Sequence, residues 1–366
     1  MTNLLNLIPM TTHPSKITDP HEMYAVLSER LHDVVPDVEL RYKADLAAQI
    51  NRLKIERRAV ILGHNYMEPA LFHSIPDYVG DSLELSRKAA KTDQDIIVFC
   101  GVRFMAETAK ILNPSKTVLL PARVAGCSLA ASITAEDVRQ LKARFPGVPV
   151  VTYVNTYADV KAETDICCTS SNAVAVVESL QSDKVIFLPD EYLAGNVARE
   201  TGKEIIFPTR QPSAGDTALH YEMIGWHGRC EVHEKFTVSD IHNVRAQFPD
   251  VVILAHPECS PEVVAAADYS GSTTAMMKYV ENTQAPRYLL LTECSMGDNI
   301  AGANPDKEML RLCSVRCPHM NEISLEETLL SLQRTQYVIE IPEEIRRRAL
   351  RAVERMIQIG ASGPKD

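Results

Sequence analysis

Three cysteines carry the strongest chemical signal in the chain: Cys127 in "AGCSLA", Cys230 in "HGRCEVH" and Cys317 in "SVRCPHM", each beside a glycine or an arginine. Three thiolates are too few to close a tetrahedral site. They suit an iron–sulfur cluster with one iron left open, because a four-iron cubane takes four cysteines and a vacant corner acts as a Lewis acid. Three cysteines and a water suit zinc equally well. A zinc clamp built on Cys313 and Cys317 lacks the second close Cys or His pair that would complete it. Cys100 in "DIIVFCG" and Cys167 in "DICCTS" sit on strand-like runs and read as small buried hydrophobes.

Polar residues also recur at the ends of apolar runs. "VILGHNY", "VVTYVNT" and "VVILAHPE" deliver His64 with Tyr66, Tyr153 with Asn155, and His256 with Glu258. From these anchors a hydroxyl at a helix start follows 17 or 18 residues on, at Ser82, Ser170 and Thr273. A second apolar run ends 35 or 36 residues on, near Cys100, Leu188 and Thr292. The three flanked cysteines come next, and the longer middle interval places an insertion within "TGKEIIFPTRQPSAGDTALHYEMIGWHG". One such coincidence is ordinary in an α/β protein. Three landmarks recurring in three units indicate repeats.

Apolar runs alternating with helix-like segments define a parallel α/β architecture. Ligands of open parallel sheets bind beyond the C-terminal ends of the strands, so three repeats packed about a pseudo-threefold axis would bring three strand ends to one centre. The expected division is a helical extension over 1–58, α/β repeats over 59–146, 147–248 (with the insertion) and 249–335, and a C-terminal helix and tail over 336–366. In the extension, Leu46, Ile50, Leu53 and Ile55 mark one helix face packing on the first repeat. "IPEEIRRRALRAVERMIQIG" reads as a helix with Pro342 and two glutamates in its opening turn and Gly360 past its end. The tail "ASGPKD" is expected to fray.

At 366 residues and 45% hydrophobic composition the chain can bury two or three cores. Its net charge of −10 argues against a nucleic-acid or anionic-membrane surface and favours small-molecule partners. No run approaches the roughly 18 apolar residues of a membrane span, and the first residues lack a signal-peptide pattern, which places the protein in the cytoplasm, where its nine cysteines need no disulfide framework. An acidic protein can still seat an anion at helix starts such as those at Ser82, Ser170 and Thr273, through free N–H groups and the helix dipole; capping alone is the plainer reading of each one. His73, His220 and His227 have no counterpart in other repeats and read as ordinary, and Glu107 reads as a solvated or capping residue. Besides an enzyme with acid–base groups at three strand ends, these residues admit an iron–sulfur sensor or metabolite-binding protein, a hydro-lyase working on one hydroxy acid and, last, a zinc hydrolase, which lacks a His-rich ligand set. A sensor has no need of His, Tyr and Glu at three strand ends.

Taken together, "GHNY", "GDSLELSRKA", "YVNT", "CTSSNAV", "AHPE", "SGSTTAM" and "CPHM" resemble the quinolinate synthase family over residues 59–335. The resemblance implies three αβα domains of three layers each around a pseudo-threefold axis, holding a [4Fe–4S] cluster by Cys127, Cys230 and Cys317 with one iron open. It implies substrate binding by His64, Ser82, Tyr153, Asn155, Ser170, His256, Glu258 and Thr273. The implied reaction condenses iminoaspartate with dihydroxyacetone phosphate to quinolinate, losing phosphate and two waters, in de novo NAD biosynthesis, with a functional link to an L-aspartate oxidase supplying iminoaspartate. Proton movement in such a reaction needs acid–base groups within hydrogen-bond reach: Glu258 and His256 as the principal pair, Tyr66 and His233 assisting. Cys313 is spare in the run "CSVRC", where some members of the family carry three cysteines.

Overall fold

The computed structural model describes residues 13–208, 220–310 and 315–360. Twelve strands among them form three all-parallel sheets. The first contains β1 (Ala59–His64), β2 (Tyr78–Gly80), β3 (Ile96–Cys100) and β4 (Thr117–Leu119), in the order β2-β1-β3-β4. The second contains β5 (Val150–Tyr153), β6 (Ile166–Cys168), β7 (Val185–Leu188), β8 (Ile205–Ile206) and β9 (Met223–Ile224), in the order β6-β5-β7-β9-β8. The third contains β10 (Val251–Ala255), β11 (Tyr269–Ser270) and β12 (Arg287–Leu291), in the order β11-β10-β12. Every sheet therefore has the same three-strand centre, with its first strand flanked by its second and third.

Continuous apolar runs fit this arrangement because both faces of a parallel sheet are covered: every residue of β1, β3, β5 and β7 is buried. The sheets differ at one edge. A fourth strand is present as β4 and β9 but shrinks in the third sheet to a single bridge, Tyr288 to Met309. The predicted insertion supplies the extra edge strand β8; part of it, and Cys313, lie outside the described residues, as does "ASGPKD".

Two helices precede the first sheet, Pro20–Leu31 and Asp37–Glu56. The second packs on β1 as expected, but Ile55 is 58% exposed. At about 100° per residue Ile55 points away from Leu46 and Ile50; those two are buried as expected, in a stripe that also takes in Leu40, Ala44, Ala47, Asn51 and Lys54. The Lys54 ammonium, pushed down to about 8 by burial, donates to the Ile75 carbonyl and pairs with Asp77. Asp77 in turn accepts the Ile61 N–H at the start of the first sheet.

The C-terminal helix Glu343–Gln358 crosses both the first and second sheets' helices. Its last turn is clasped from both sides: Asn172 donates to the carbonyls of Met356 and Ile359, and Arg87 to those of Ile357 and Ile359. Gly360 follows at φ +72, the left-handed geometry that ends helices. Glu107, expected to be solvated or to cap a helix, is buried, paired with Arg103, and accepts the Ala158 N–H. It does cap a helix, but one that begins 51 residues away.

Candidate active site

The strand ends converge. His64, Tyr66, Ser82, Cys127, Tyr153, Asn155, Ser170, Cys230, His233, His256, Glu258, Thr273 and Cys317 all line a single cavity. That set is every site residue singled out from the sequence.

Glu258 is the hub. Its Oε1 accepts the Tyr153 hydroxyl at 2.5 Å and the Asn155 amide at 3.3 Å, and its Oε2 faces His233 Nδ1 at 2.8 Å. On the far side of its ring, His233 Nε2 lies 2.9 Å from the Thr292 hydroxyl and 3.3 Å from that of Tyr66, and these two hydroxyls are 2.5 Å apart. A continuous chain of proton-bearing groups thus runs from Tyr153 to Tyr66. The His256 ring stacks on His233 with centroids 4.5 Å apart. Burial pushes the Glu258 carboxyl up, but the hydrogen-bonded His233, then His256 and Tyr153, outweigh it and hold the group below the usual carboxylate range. Burial and the Glu258 charge raise both phenols, Tyr66 and Tyr153, well above their ordinary value, so they remain donors.

His64 and His256 are oriented by the same local device. In each case the backbone N–H two residues on, of Tyr66 or Glu258, donates to the ring Nδ1 at 3.2 Å. With Nδ1 accepting, the proton of the neutral ring sits on Nε2. Burial lowers His64 to about 4 and His256 to about 3, the latter helped by neighbouring His233. Both rings are neutral Nε2–H donors near pH 7, and His256 Nε2 lies 3.4 Å from the Ser170 hydroxyl.

The helix starts differ from expectation in an informative way. The hydroxyls of Ser82 and Thr273 do not cap. The caps are the residues just before them, Asp81 and Ser272, whose side chains accept N–H groups of the first turn. Ser82 and Thr273 line the cavity instead, Thr273 also accepting the Asn65 amide at 2.9 Å. Ser170 stands three residues before its short helix, Ala173–Glu178, so in the second unit it is a loop hydroxyl. Asn155 Oδ1 is buried without a partner, an acceptor aimed at a donor the protein does not supply.

Cys127, Cys230 and Cys317 are free and half-buried. Burial pushes Cys127 up to about 12, Cys317 up to about 11 and Cys230 well above its ordinary value; Cys127 also feels Cys317, and Cys230 feels Cys127. A metal centre binding here must displace their protons. Three soft donors, one from the chain after each sheet, facing one cavity fit a thiolate-ligated iron–sulfur group. Among the other cysteines, Cys100, Cys167, Cys168 and Cys259 are buried and free, as expected of core residues, whereas Cys294 is disulfide-bonded, contrary to the expectation of a chain without disulfides. Cys230, His233 and Glu258 also bring one ligand atom each within 4.8 Å of one another, a second donor set that shares Cys230 with the first.

A further repeat distinguishes Cys317 from its neighbour. Seven residues after Cys127, Cys230 and Cys317 stand Thr134, Thr237 and Ser324, each capping the helix that follows by accepting the N–H of its third residue. Cys313 is out of that register.

Comparison with known proteins gives this site its family. The family described as Quinolinate synthetase A protein matches residues 48–358. The chain belongs to that family. Quinolinate synthase 2 of Mesorhizobium japonicum is 53% identical over 92% of this chain and 98% of its own length. The quinolinate synthase of Agrobacterium fabrum is 52% identical, covering 92% of each chain, and that of Xylella fastidiosa strain Temecula1 is 53% identical over 87% of this chain and 88% of its own. Membership of the quinolinate synthetase family makes the protein an enzyme. No helix among the described residues is long and apolar enough to cross a membrane.

Proposed function

We propose that the protein condenses iminoaspartate with dihydroxyacetone phosphate to quinolinate, releasing phosphate and two waters, as a step of de novo NAD biosynthesis fed by an L-aspartate oxidase in the cytoplasm. The observation that carries this reading is the convergence of three thiols and the Glu258–His233 network on one cavity. In the same reading the three sheets are the centres of three domains, 59–146, 147–248 and 249–335, set around a pseudo-threefold axis, with residues 1–58 and 336–366 packed outside them.

Cys127, Cys230 and Cys317 hold a [4Fe–4S] cluster, which when bound supplies an open iron as a Lewis acid for the loss of a hydroxyl. The protein's own groups do the rest. Ser82, Ser170 and Thr273, with the Nε2–H groups of His64 and His256, donate to carboxylate and phosphate oxygens. Asn155 Oδ1 accepts the N–H of the imine or its enamine form, and Tyr153 and Asn155 together orient the dicarboxylate. Glu258, kept ionised, takes a proton from substrate, with His256 stacked beside the pair as its partner. His233 steadies the Glu258 carboxylate through Nδ1, and the Thr292 and Tyr66 hydroxyls continue the hydrogen-bond chain from its Nε2. Low solvent access within this buried network strengthens each of these hydrogen bonds.

Iron, acid-labile sulfide and quinolinate formation in anaerobically prepared protein test the reading. About four irons per chain, lost together with activity in Cys127→Ala, Cys230→Ala and Cys317→Ala, is the expected result. A single metal ion that survives Cys127→Ala and Cys317→Ala but not Cys230→Ala would assign the metal to Cys230, His233 and Glu258 instead.

A further inference from the structure

The three loops that carry Ser82, Ser170 and Thr273 are tied together by one carboxylate. Asp81 Oδ1 accepts the N–H groups of Leu83 and Glu84 at 3.1 and 3.0 Å, capping the helix Ser82–Lys91. Its Oδ2 accepts two hydroxyls from elsewhere in the chain, Ser171 at 2.6 Å and Ser272 at 2.9 Å. Each of these serines is the immediate neighbour of a cavity-lining hydroxyl, Ser170 or Thr273. The Asp81 N–H donates to Thr274 at 3.1 Å, and the Asn65 amide donates to Thr273 and Thr274.

Asp81 is also a partition. Outside the central cavity lies a broad cleft lined by Arg87, Lys88, Lys91 and Lys278, a cationic patch on an acidic protein. Ser82, Ser170 and Thr273 line the inner cavity, Ser171, Ser272 and Thr274 line the outer cleft, and Asp81 lines both. With four donors on its two oxygens, the carboxylate can sit beside an anion site without an unpaired lone pair aimed into it. Hydrogen bonds to a charged acceptor are the strong, directional kind.

We propose that Asp81 is the positioning residue of the dicarboxylate seat: by holding Ser171 and Ser272 on one oxygen it fixes the spacing of the Ser82, Ser170 and Thr273 hydroxyls, and that spacing selects a substrate with two carboxylates over one with a single carboxylate. The inference rests on the reaction assigned above, and quinolinate and nicotinate, which differ by one carboxylate, are the probes. A lost tie lets the loops move apart, which weakens two-point binding and leaves one-point binding nearly unchanged.

Calorimetry on anaerobically prepared, iron-replete protein tests it. In Ser171→Ala and Asp81→Asn, quinolinate affinity falls about tenfold, the scale of one misplaced charged hydrogen bond, while nicotinate affinity, iron content and melting temperature stay near those of the parent. Asp81→Ala shows the larger loss. Because both serines bind the same oxygen, Ser171→Ala and Ser272→Ala combine non-additively. Unchanged quinolinate affinity in Ser171→Ala and Asp81→Asn, or an equal loss for both ligands, overturns the assignment of Asp81 and leaves the reaction standing. Failure of the parent to bind quinolinate overturns both.

Discussion

β1 ends in a histidine and β10 runs directly into one, and two residues later comes the group that reaches into the network, Tyr66 after His64 and Glu258 after His256. The backbone device is the same at both ends, an N–H to ring Nδ1 bond that fixes a neutral imidazole. What differs is the side chain of the residue whose backbone supplies that N–H. Tyr66 adds a phenol that can relay a proton but holds no charge; Glu258 adds the buried carboxylate on which Tyr153, Asn155 and His233 all converge. Related strand ends thus keep the geometry that orients histidine and diverge at the residue that sets the chemistry. β5 departs further, placing Tyr153 where the others have histidine, and its phenol serves Glu258 directly.

If Glu258 is the divergent element that matters, Glu258→Gln should cost the most: about a thousandfold in quinolinate formation, within the usual range for a general acid–base group, with iron content unchanged. Loss of iron in that variant would make Glu258 a support of the metal site. Tyr66→Phe should cost less, about tenfold, because the backbone N–H that orients His64 survives; an effect as large as that of Glu258→Gln would erase the distinction between the two ends.

The shared half of the comparison is open to a pH test. His64 and His256 are lowered to about 4 and about 3 from 6.5, so each stabilises the fold fully above pH 6.5 and loses that contribution as the pH falls toward its folded value. Ring carbon and nitrogen shifts should show no titration of either residue between pH 8 and about 5. A midpoint near 6.5 for one of them would mean that the two ends are not alike. The smallest effects belong to the caps. Thr134→Ala and Thr237→Ala should each destabilise by about 1 kcal/mol, seen as a lower melting temperature with quinolinate formation at permissive temperature preserved.

The strand ends were legible because each closes a buried apolar run, where a parallel sheet must open its site, and the cysteines because each recurs at a corresponding place in its repeat. Two of the three helix starts were legible to within a residue, the third being off by three at Ser170: the eye settles on Ser82 and Thr273, whereas the caps are Asp81 and Ser272, and only the fold shows which of two adjacent polar residues turns inward. Glu107, Lys54 and the Asp81 tie were not readable at all. Their burial depends on partners far away in sequence, which no local pattern encodes. Ile55 failed for a simpler reason, since four apolar residues in one helix do not have to share a face. The seven-residue interval from each of Cys127, Cys230 and Cys317 to a capping hydroxyl was present in the sequence and sets Cys317 apart from Cys313 without any structure.

The clasp on the C-terminal helix sets an order on synthesis. Arg87 and Asn172 are made well before the Ile359 carbonyl they both hold, which lies 272 residues after the first and 187 after the second. Until then the surface destined to receive Ala349, Ala352, Val353 and Met356 has no cover. Domains generally fold as they emerge, so the nascent protein passes through a stage with its sheets formed and this flank bare. Chaperone contact during translation should concentrate on that flank and end when the helix Glu343–Gln358 is released.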